Sequence, residues 1–133
     1  MVSLPIIPDN SSVSAIYGDI STLSIRPVVT WESPIFIQVD KIEPKKGYWV
    51  FTPLNMDIVV TGIPMTETNI SLTAGWNMVG TTGLNNIDLT LIPNQVPQRP
   101  SVTWQSPTFV SINELEPGKA AWVFILSNTE VII

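Results

Sequence analysis

The chain contains no cysteine and no histidine in 133 residues. Without cysteine it forms neither a disulfide framework nor a thiolate metal site. Without histidine it lacks the residue that serves most often as a general base or a metal ligand. No Gly-rich phosphate loop occurs either. We therefore expect a protein that is not an enzyme and that binds no metal or other cofactor.

Charged residues are scarce, at 13% of the chain against roughly 25% in ordinary globular proteins. The net charge is −5, and the six basic residues are scattered apart from Lys45-Lys46. Because nucleic-acid backbones require clustered Lys and Arg, no nucleic-acid partner is expected. A surface so poor in charge suits a protein that packs against neighbours or carries another solubilising group, such as a glycan.

Long hydrophobic runs are also missing. No stretch of about 18 apolar residues occurs, so we expect no membrane-spanning helix. No signal peptide begins at Met1. The chain is therefore expected to be either cytosolic or a mature or trimmed piece of an exported protein.

What the chain does contain is a duplication. Residues 26–60 align with residues 99–133 at a constant offset of 73, without a gap, and 15 of the 35 positions are identical. Chance gives roughly one identity in fifteen to twenty positions. The alignment predicts two homologous modules, residues 1–62 and 63–133. The identical pairs include Arg26/Arg99, Trp31/Trp104, Phe36/Phe109, Glu43/Glu116, Trp49/Trp122 and Asn55/Asn128.

The two modules differ at their beginnings. Met1-Val2-Ser3 resembles Met78-Val79-Gly80, but only the second triplet follows a strand-like lead-in at residues 70–77. The first module therefore lacks an opening strand, and a sheet that misses a strand exposes unpaired backbone groups. We expect this edge to be completed either by residues 69–77 of the same chain or by a strand from another chain.

Two terminal runs are candidate donor strands for such an exchange. One is the C-terminal run Val131, Ile132 and Ile133, and the other is the N-terminal run of residues 2–7. A head-to-tail exchange does not close on itself, so it would build a filament of identical subunits. The alternatives are a compact monomer with covered termini or a piece cut at a wrong boundary.

The secondary-structure pattern is that of an all-β protein. Twelve prolines exclude long helices, and short β-branched and aromatic runs alternate with turn signals. We expect two small β modules packed as a β-sandwich or as a pseudo-symmetric pair. Residues 9–12 could cap one helical turn over residues 13–17. Strands are predicted at residues 28–31, 35–40, 47–52, 57–61, 69–74, 76–81, 101–104, 108–112, 120–126 and 129–133.

Two motifs resemble a known kind of module. Leu72–Gly80, with its Gly-Trp-Asn, and Leu115–Lys119 followed by Trp122-Val123 are similar to modules with a "GWN" strand and an "EPGKGYW" hairpin. Such modules recur in secreted and cell-surface proteins of archaea and bacteria. The resemblance implies an extracellular, non-catalytic β domain and no particular ligand. This chain departs from the pattern at Ala120-Ala121 and in lacking the first GWN.

The five tryptophans have two interpretations. Four of them pair across the repeat, and we expect them to be core residues, since aromatic side chains dominate small cores. Alternatively they form a stacking platform for sugars, and Trp76, which has no partner, is the best candidate. The five are Trp31, Trp49, Trp76, Trp104 and Trp122.

Asn10 and Asn69 begin N-glycosylation sequons. Asn10 is expected in a loop and is the better acceptor, whereas Asn69 begins a predicted strand. Together these features predict a structural protein of the cell surface or extracellular space, self-associating by strand exchange. The alternatives are a carbohydrate-binding or adhesion module and a viral coat protein.

Overall fold

The computed structural model describes residues 1–23, 26–53, 55–66, 69–92 and 99–132. Most of the regular secondary structure in these residues is β-strand, and there is one α-helix among them. The fold class is therefore all-β, as the sequence predicts. The elements, in chain order, are β1 (Ile6–Pro8), α1 (Val13–Leu23), β2 (Val29–Glu32), β3 (Ile35–Gln38), β4 (Gly62–Pro64), β5 (Asn69–Leu72), β6 (Gly75–Gly80), β7 (Ile87–Asp88), a 3₁₀ turn (Leu89–Leu91), β8 (Val102–Gln105), β9 (Thr108–Ser111), β10 (Glu114–Leu115), β11 (Ala120–Ile125) and β12 (Thr129–Ile132).

The helix begins where the sequence predicts it. The Ser12 hydroxyl accepts a hydrogen bond from the Ala15 amide, and the Asn10 side chain accepts one from the Ser12 amide. These contacts satisfy donors that the first helical turn leaves without partners. The helix runs past the single predicted turn, with a break in helical geometry at Tyr17.

Two hairpins lie at equivalent places in the repeat. In β2–β3, Val29 pairs with Gln38, and in β8–β9, Val102 pairs with Ser111 at the same register. In both hairpins the second residue of the first strand, a threonine, points inward and donates a 2.6–2.7 Å hydrogen bond to a buried carbonyl. The identical Val-Thr-Trp tripeptides of the two hairpins therefore adopt the same local structure.

The largest sheet has the order β6-β11-β8-β9. Strand β11 is its centre and pairs with β6 over six residues, from Ala120↔Gly80 to Ile125↔Gly75. Next to it, β5 and β12 pair over four residues, from Leu72↔Thr129 to Asn69↔Ile132. The lead-in segment of the second module thus forms two consecutive strands, β5 and β6, which pair with β12 and β11 in two different sheets.

The two halves meet through two short antiparallel bridges. Val2 lies between Tyr48 and Lys119, and Val79 pairs both with β11 and with Lys46. A Cβ added at Gly80 would lie 2.5 Å from the Lys46 carbonyl oxygen. The backbones therefore approach so closely here that only glycine fits.

A buried hydroxyl pair secures this junction. Ser3 and Thr81 are 3% and 0% exposed, and their hydroxyl oxygens lie 3.3 Å apart. The Ser3 hydroxyl donates to the Lys119 carbonyl at 2.6 Å and accepts from the Thr81 amide. Because buried polar groups are costly without partners, this satisfied network fixes the N-terminal segment against the second half.

Each half has its own buried core. The second-half core centres on β11, where Ala121, Val123 and Ile125 are all 0% exposed, and β5 and β12 complete it. The first-half core contains Ile42 and two buried phenols. These phenols are Tyr17 and Tyr48, which are 6% and 1% exposed.

Two strands predicted in the first half do not form. Within residues 47–52, Tyr48 and Trp49 make only isolated bridges, to Val2 and Val29, and residues 50–52 lie in no strand or bridge. Residues 55–61 likewise have no strand assignment. Their counterparts in the second half, β11 and β12, are both regular strands, so the difference does not come from local propensity.

Candidate functional site

Strand β11 separates the core from an aromatic layer. Its residues alternate, so that Ala121, Val123 and Ile125 are buried while Trp122 and Phe124 are partly exposed on the opposite face. Such alternation is the period-two pattern of a strand with two different faces. The aromatic residues therefore form a second layer on the outer face, separate from the core.

All five tryptophans belong to this outer layer. Trp31, Trp49, Trp76, Trp104 and Trp122 are half-buried, and none is a member of either buried core. The expectation that they are core residues therefore does not hold. Aromatic side chains placed in this way can bury further area against a partner.

One aromatic cluster surrounds Trp122. The rings of Trp31 and Trp76 lie 5.5 and 6.4 Å from it, edge-on, and Phe36 lies at 6.0 Å. The Trp31 indole donates a 3.0 Å hydrogen bond to the Trp76 carbonyl. A cavity of about 290 Å³ at this cluster is lined only by apolar side chains. Sugar sites need polar groups that fix the ligand's orientation, so this lining does not favour a sugar.

A second aromatic cluster surrounds Trp49, which occupies the position of Trp122 in the first half. Trp104 and Phe109 pack edge-on against it, at 5.7 and 6.1 Å. The Phe51 ring lies under the Arg26 guanidinium at 4.6 Å, as Phe124 lies under that of Arg99 at 4.2 Å. In the part of the chain that the structure describes, no tryptophan packs against this cluster as Trp76 packs against Trp122.

A cavity of about 660 Å³ opens beside the second cluster, between the N-terminus and Thr52. A further cavity of about 330 Å³ separates α1 from residues 56–59. We call residues 49–52 and 56–59, together with these two cavities, the open edge. Its lining residues include Met1, Val29, Trp49, Val50, Phe51 and Trp104.

Apolar side chains on the open edge are more exposed than their counterparts 73 residues later. Ile58 is 37% exposed and Val131 is 5% exposed, while Val50 is half-buried and Val123 is 0% exposed. Phe51 is 45% exposed. The open edge therefore combines backbone that lies outside the regular strands with exposed apolar side chains, a combination that suits association with another polypeptide.

The C-terminal candidate donor is already paired. Val131 and Ile132 belong to β12 and pair with Ile70 and Asn69 of the same chain. Val131 is also a core residue. Releasing this strand for another subunit would break the β5–β12 pair and expose the second-half core, so the structure does not favour it as a donor. Ile133 lies outside the described residues.

The N-terminal candidate donor is paired as well. Ile6–Pro8 forms β1 with Gly62–Pro64 of β4, and Val2 lies in the junction between the halves. Both terminal runs thus have partners within the chain, and neither is free to add to a neighbour's sheet.

The two sequon asparagines lie in different surroundings. Asn10 is exposed in the turn before α1. Asn69 is half-buried, donates a hydrogen bond to Glu130 and accepts one from Lys45 at 3.1 Å. Asn10 is therefore the more accessible of the two asparagines.

The ionisable groups have structural roles. Lys46 lies 2.5 Å from Glu43, and this hydrogen bond raises the lysine pKa. Burial, with a contribution from Tyr48, raises the pKa of Tyr17 to about 12. Within the ranges that the structure describes, no three carboxylates converge to form a metal site.

Comparison with protein-family models, with curated proteins and with solved structures finds no match for this chain. The resemblance to GWN-type modules therefore stays a prediction. No helix in the described part of the chain is long and apolar enough to cross a membrane. The residues of the open edge were identifiable from the sequence, since the offset of 73 aligns them with β11 and β12, but the two cavities were not.

Proposed function

We propose that this chain is a non-catalytic structural protein of the cell surface or extracellular space, and that it joins another polypeptide by β-strand addition at the open edge. The observation that carries the proposal is the contrast between matched positions. Ile58 is 37% exposed where Val131 is 5% exposed, although both halves carry the same strand-forming sequence pattern.

The composition supports the same proposal. A chain with only 13% charged residues has few groups that keep an apolar edge soluble, and long unpaired apolar edges promote association. The resemblance to GWN-type modules adds the expected location outside the cell. Self-assembly by donation of a terminal strand is a weaker form of the proposal, because β1 and β12 already pair within the chain.

A carbohydrate-binding role has less support. The aromatic surface required for sugar stacking is present, but each tryptophan has an edge-on aromatic neighbour. The cavity at Trp122 also has no polar lining. A polypeptide strand, which brings its own hydrogen-bonding backbone, suits the open edge better.

Size-exclusion chromatography with light scattering, followed by electron microscopy, tests the proposal on protein isolated from its native source. We expect an assembly or a defined complex with a second polypeptide. A stable monomer at high concentration, with no polypeptide associated with it, would contradict the proposed function.

A further inference from the structure

Three side chains with complementary chemistry meet on the outer face of the two-stranded β5–β12 sheet. Asn69 lies opposite Ile132 in this pair, and Glu130 lies opposite Ser71, so Asn69 and Glu130 are diagonal neighbours on one face. The opposite face of the same two strands packs in the second-half core. Backbone pairing and core packing therefore hold both side chains in place.

A lysine from the first half completes the group. The Lys45 ammonium lies 3.1 Å from the Asn69 amide oxygen, and the Asn69 amide nitrogen donates to a Glu130 carboxylate oxygen. These neighbours fix the orientation of the amide, because an ammonium donates only to its oxygen and a carboxylate accepts only from its nitrogen. Given the length of a C=O bond, the Lys45 nitrogen lies no more than about 4.3 Å from the amide carbon.

The backbone at Lys45 distinguishes this lysine from the others. It has φ 70°, in the left-handed region that a residue with a Cβ adopts only at a cost in free energy. Gly118, its counterpart in the second half, has φ 84°, so the same turn there contains the residue that suits it. The ion pair of the turn is made by Lys46 with Glu43, as it is by their counterparts in the second half. A strained lysine that this ion pair does not use, and that contacts an amide, indicates a role for its side chain.

We propose that the Lys45 amine and the Asn69 side-chain amide react to form an isopeptide bond, with Glu130 as the proton carrier. The bond joins a turn of the first half to β5 of the second half. This inference goes beyond the proposed function, because it concerns a bond within the chain and holds whether or not the open edge binds a partner.

The reaction is an amide exchange that needs no oxidant and no outside reagent. The neutral Lys45 amine attacks the Asn69 Cγ, and a tetrahedral intermediate forms as the carbonyl oxygen gains the electron pair. Glu130 accepts the proton that the amine loses and transfers it to the Asn69 Nδ2. The Cγ–Nδ2 bond then breaks, ammonia leaves, and the new Cγ–Nζ amide remains. The product is the chain minus one ammonia molecule.

Positioning makes such a slow reaction feasible. Amines attack amides very slowly in free solution, but fixed neighbours reach effective molarities of about 10⁵–10⁸ M. A cross-link also needs only one turnover in the lifetime of the chain. Glu130 already contacts the nitrogen that must leave, so the carboxyl group is in place to protonate the leaving group.

Intact mass and peptide mapping of the full chain test the inference. We expect the folded wild-type chain, after prolonged incubation, to lose the mass of one ammonia molecule. Digestion should then release a branched peptide that joins Lys45 to Asn69. A chain that keeps its full mass would overturn the inference. A glycan on Asn69 would overturn it as well, because the glycan uses the nitrogen that the reaction expels.

Conservative variants identify the reacting groups. Lys45→Arg keeps the positive charge but removes the nucleophile, so we expect no mass loss. Glu130→Gln keeps a hydrogen-bond acceptor but removes the proton carrier, so the loss should be at least about 100-fold slower. Lys46→Arg, at the adjacent lysine, is the matched control and should lose ammonia at the wild-type rate. All three side chains are half-buried or exposed, so the variants should fold.

Two further comparisons separate this bond from other losses of ammonia. An asparagine also loses ammonia when it closes on its own backbone to a succinimide, a reaction that needs no lysine. Mass loss that persists in Lys45→Arg would therefore contradict the inference, as would an unchanged rate in Glu130→Gln. The bond closes a loop of residues 45–69, so thermal unfolding of the cross-linked chain should have a midpoint at least about 5 °C above that of Lys45→Arg. Equal midpoints would contradict the cross-link.

Discussion

Val50 and Val123 offer a direct comparison of the two halves. Each is the central residue of an identical tripeptide, Trp49-Val50-Phe51 and Trp122-Val123-Phe124. Val123 is 0% exposed, whereas Val50 is only half-buried on the open edge. Val→Ala substitution at each position therefore removes the same atoms from different surroundings.

The magnitudes follow from burial. Removing two carbons at about 0.8 kcal/mol each gives about 1.6 kcal/mol, and an unfilled cavity in a packed core raises the loss at Val123 to about 2–3 kcal/mol. At Val50 water fills the vacated space, so we expect a loss of about 1 kcal/mol or less. Because the flanking residues are identical, effects on the unfolded state should largely cancel.

Guanidinium unfolding, followed by both fluorescence and circular dichroism, measures these losses. We expect Val123→Ala to lower the free energy of unfolding by at least about 1 kcal/mol more than Val50→Ala. Equal losses would mean that the first half is packed as tightly as the second, which would refute the existence of the open edge.

Three further predictions concern single positions. Gly80→Ala should lower the free energy of unfolding by about 1–3 kcal/mol, because the added Cβ would lie 2.5 Å from a backbone oxygen. Gly83→Ala is the control, since no atom lies within 4 Å of its added Cβ, and thermal unfolding should show a change of less than about 0.5 kcal/mol. Lys45 has φ 70°, a left-handed conformation that favours glycine, so Lys45→Gly should raise the free energy of unfolding by up to about 1 kcal/mol relative to the chain that has not formed the Lys45–Asn69 bond. Gly118 is its counterpart at φ 84°, and Gly118→Ala should lower the free energy of unfolding by about as much; urea unfolding measures both. The pKa of Tyr17 is raised to about 12, so the unfolded state releases this proton first. The free energy of unfolding should therefore fall by about 1.4 kcal/mol for each pH unit between pH 10 and pH 12. Urea unfolding at pH 9 and pH 11 measures this fall, and it should be smaller by that amount in Tyr17→Phe.

The sequence predicted the strands of the second half well, because each has its partner in the chain. Residues 69–74, 76–81, 120–126 and 129–133 were predicted as strands, and β5, β6, β11 and β12 lie within or overlap these ranges. The hairpins β2–β3 and β8–β9 were also predicted, to within two residues. In these segments local propensity and tertiary pairing favour the same structure.

The predictions at residues 47–52 and 57–61 were wrong for a physical reason. Trp49-Val50-Phe51 has the same strand propensity as its counterpart in β11, but a β ladder requires a second strand. The sequence aligned these residues with those of β11 and β12 through the offset of 73. It did not reveal that Val2 pairs with Tyr48, or that the terminal strands pair within the chain.

The candidate site was predictable as a set of residues but not as a surface. The five tryptophans were identified from the repeat, yet their placement on the outer face depends on which side of β11 faces the core. That choice is made by Ala121, Val123 and Ile125, which pack against β5. Aromatic content alone does not distinguish a core from an outer aromatic layer.

Amide hydrogen exchange of the free chain, read at single residues by NMR, tests the central claim most directly. If the first half carries an open edge, the amides of Val50 and Phe51 exchange rapidly while those of Val123 and Phe124 are protected nearly to the limit of global unfolding. Comparable protection in both segments would mean that the first half is already complete, and would contradict the account.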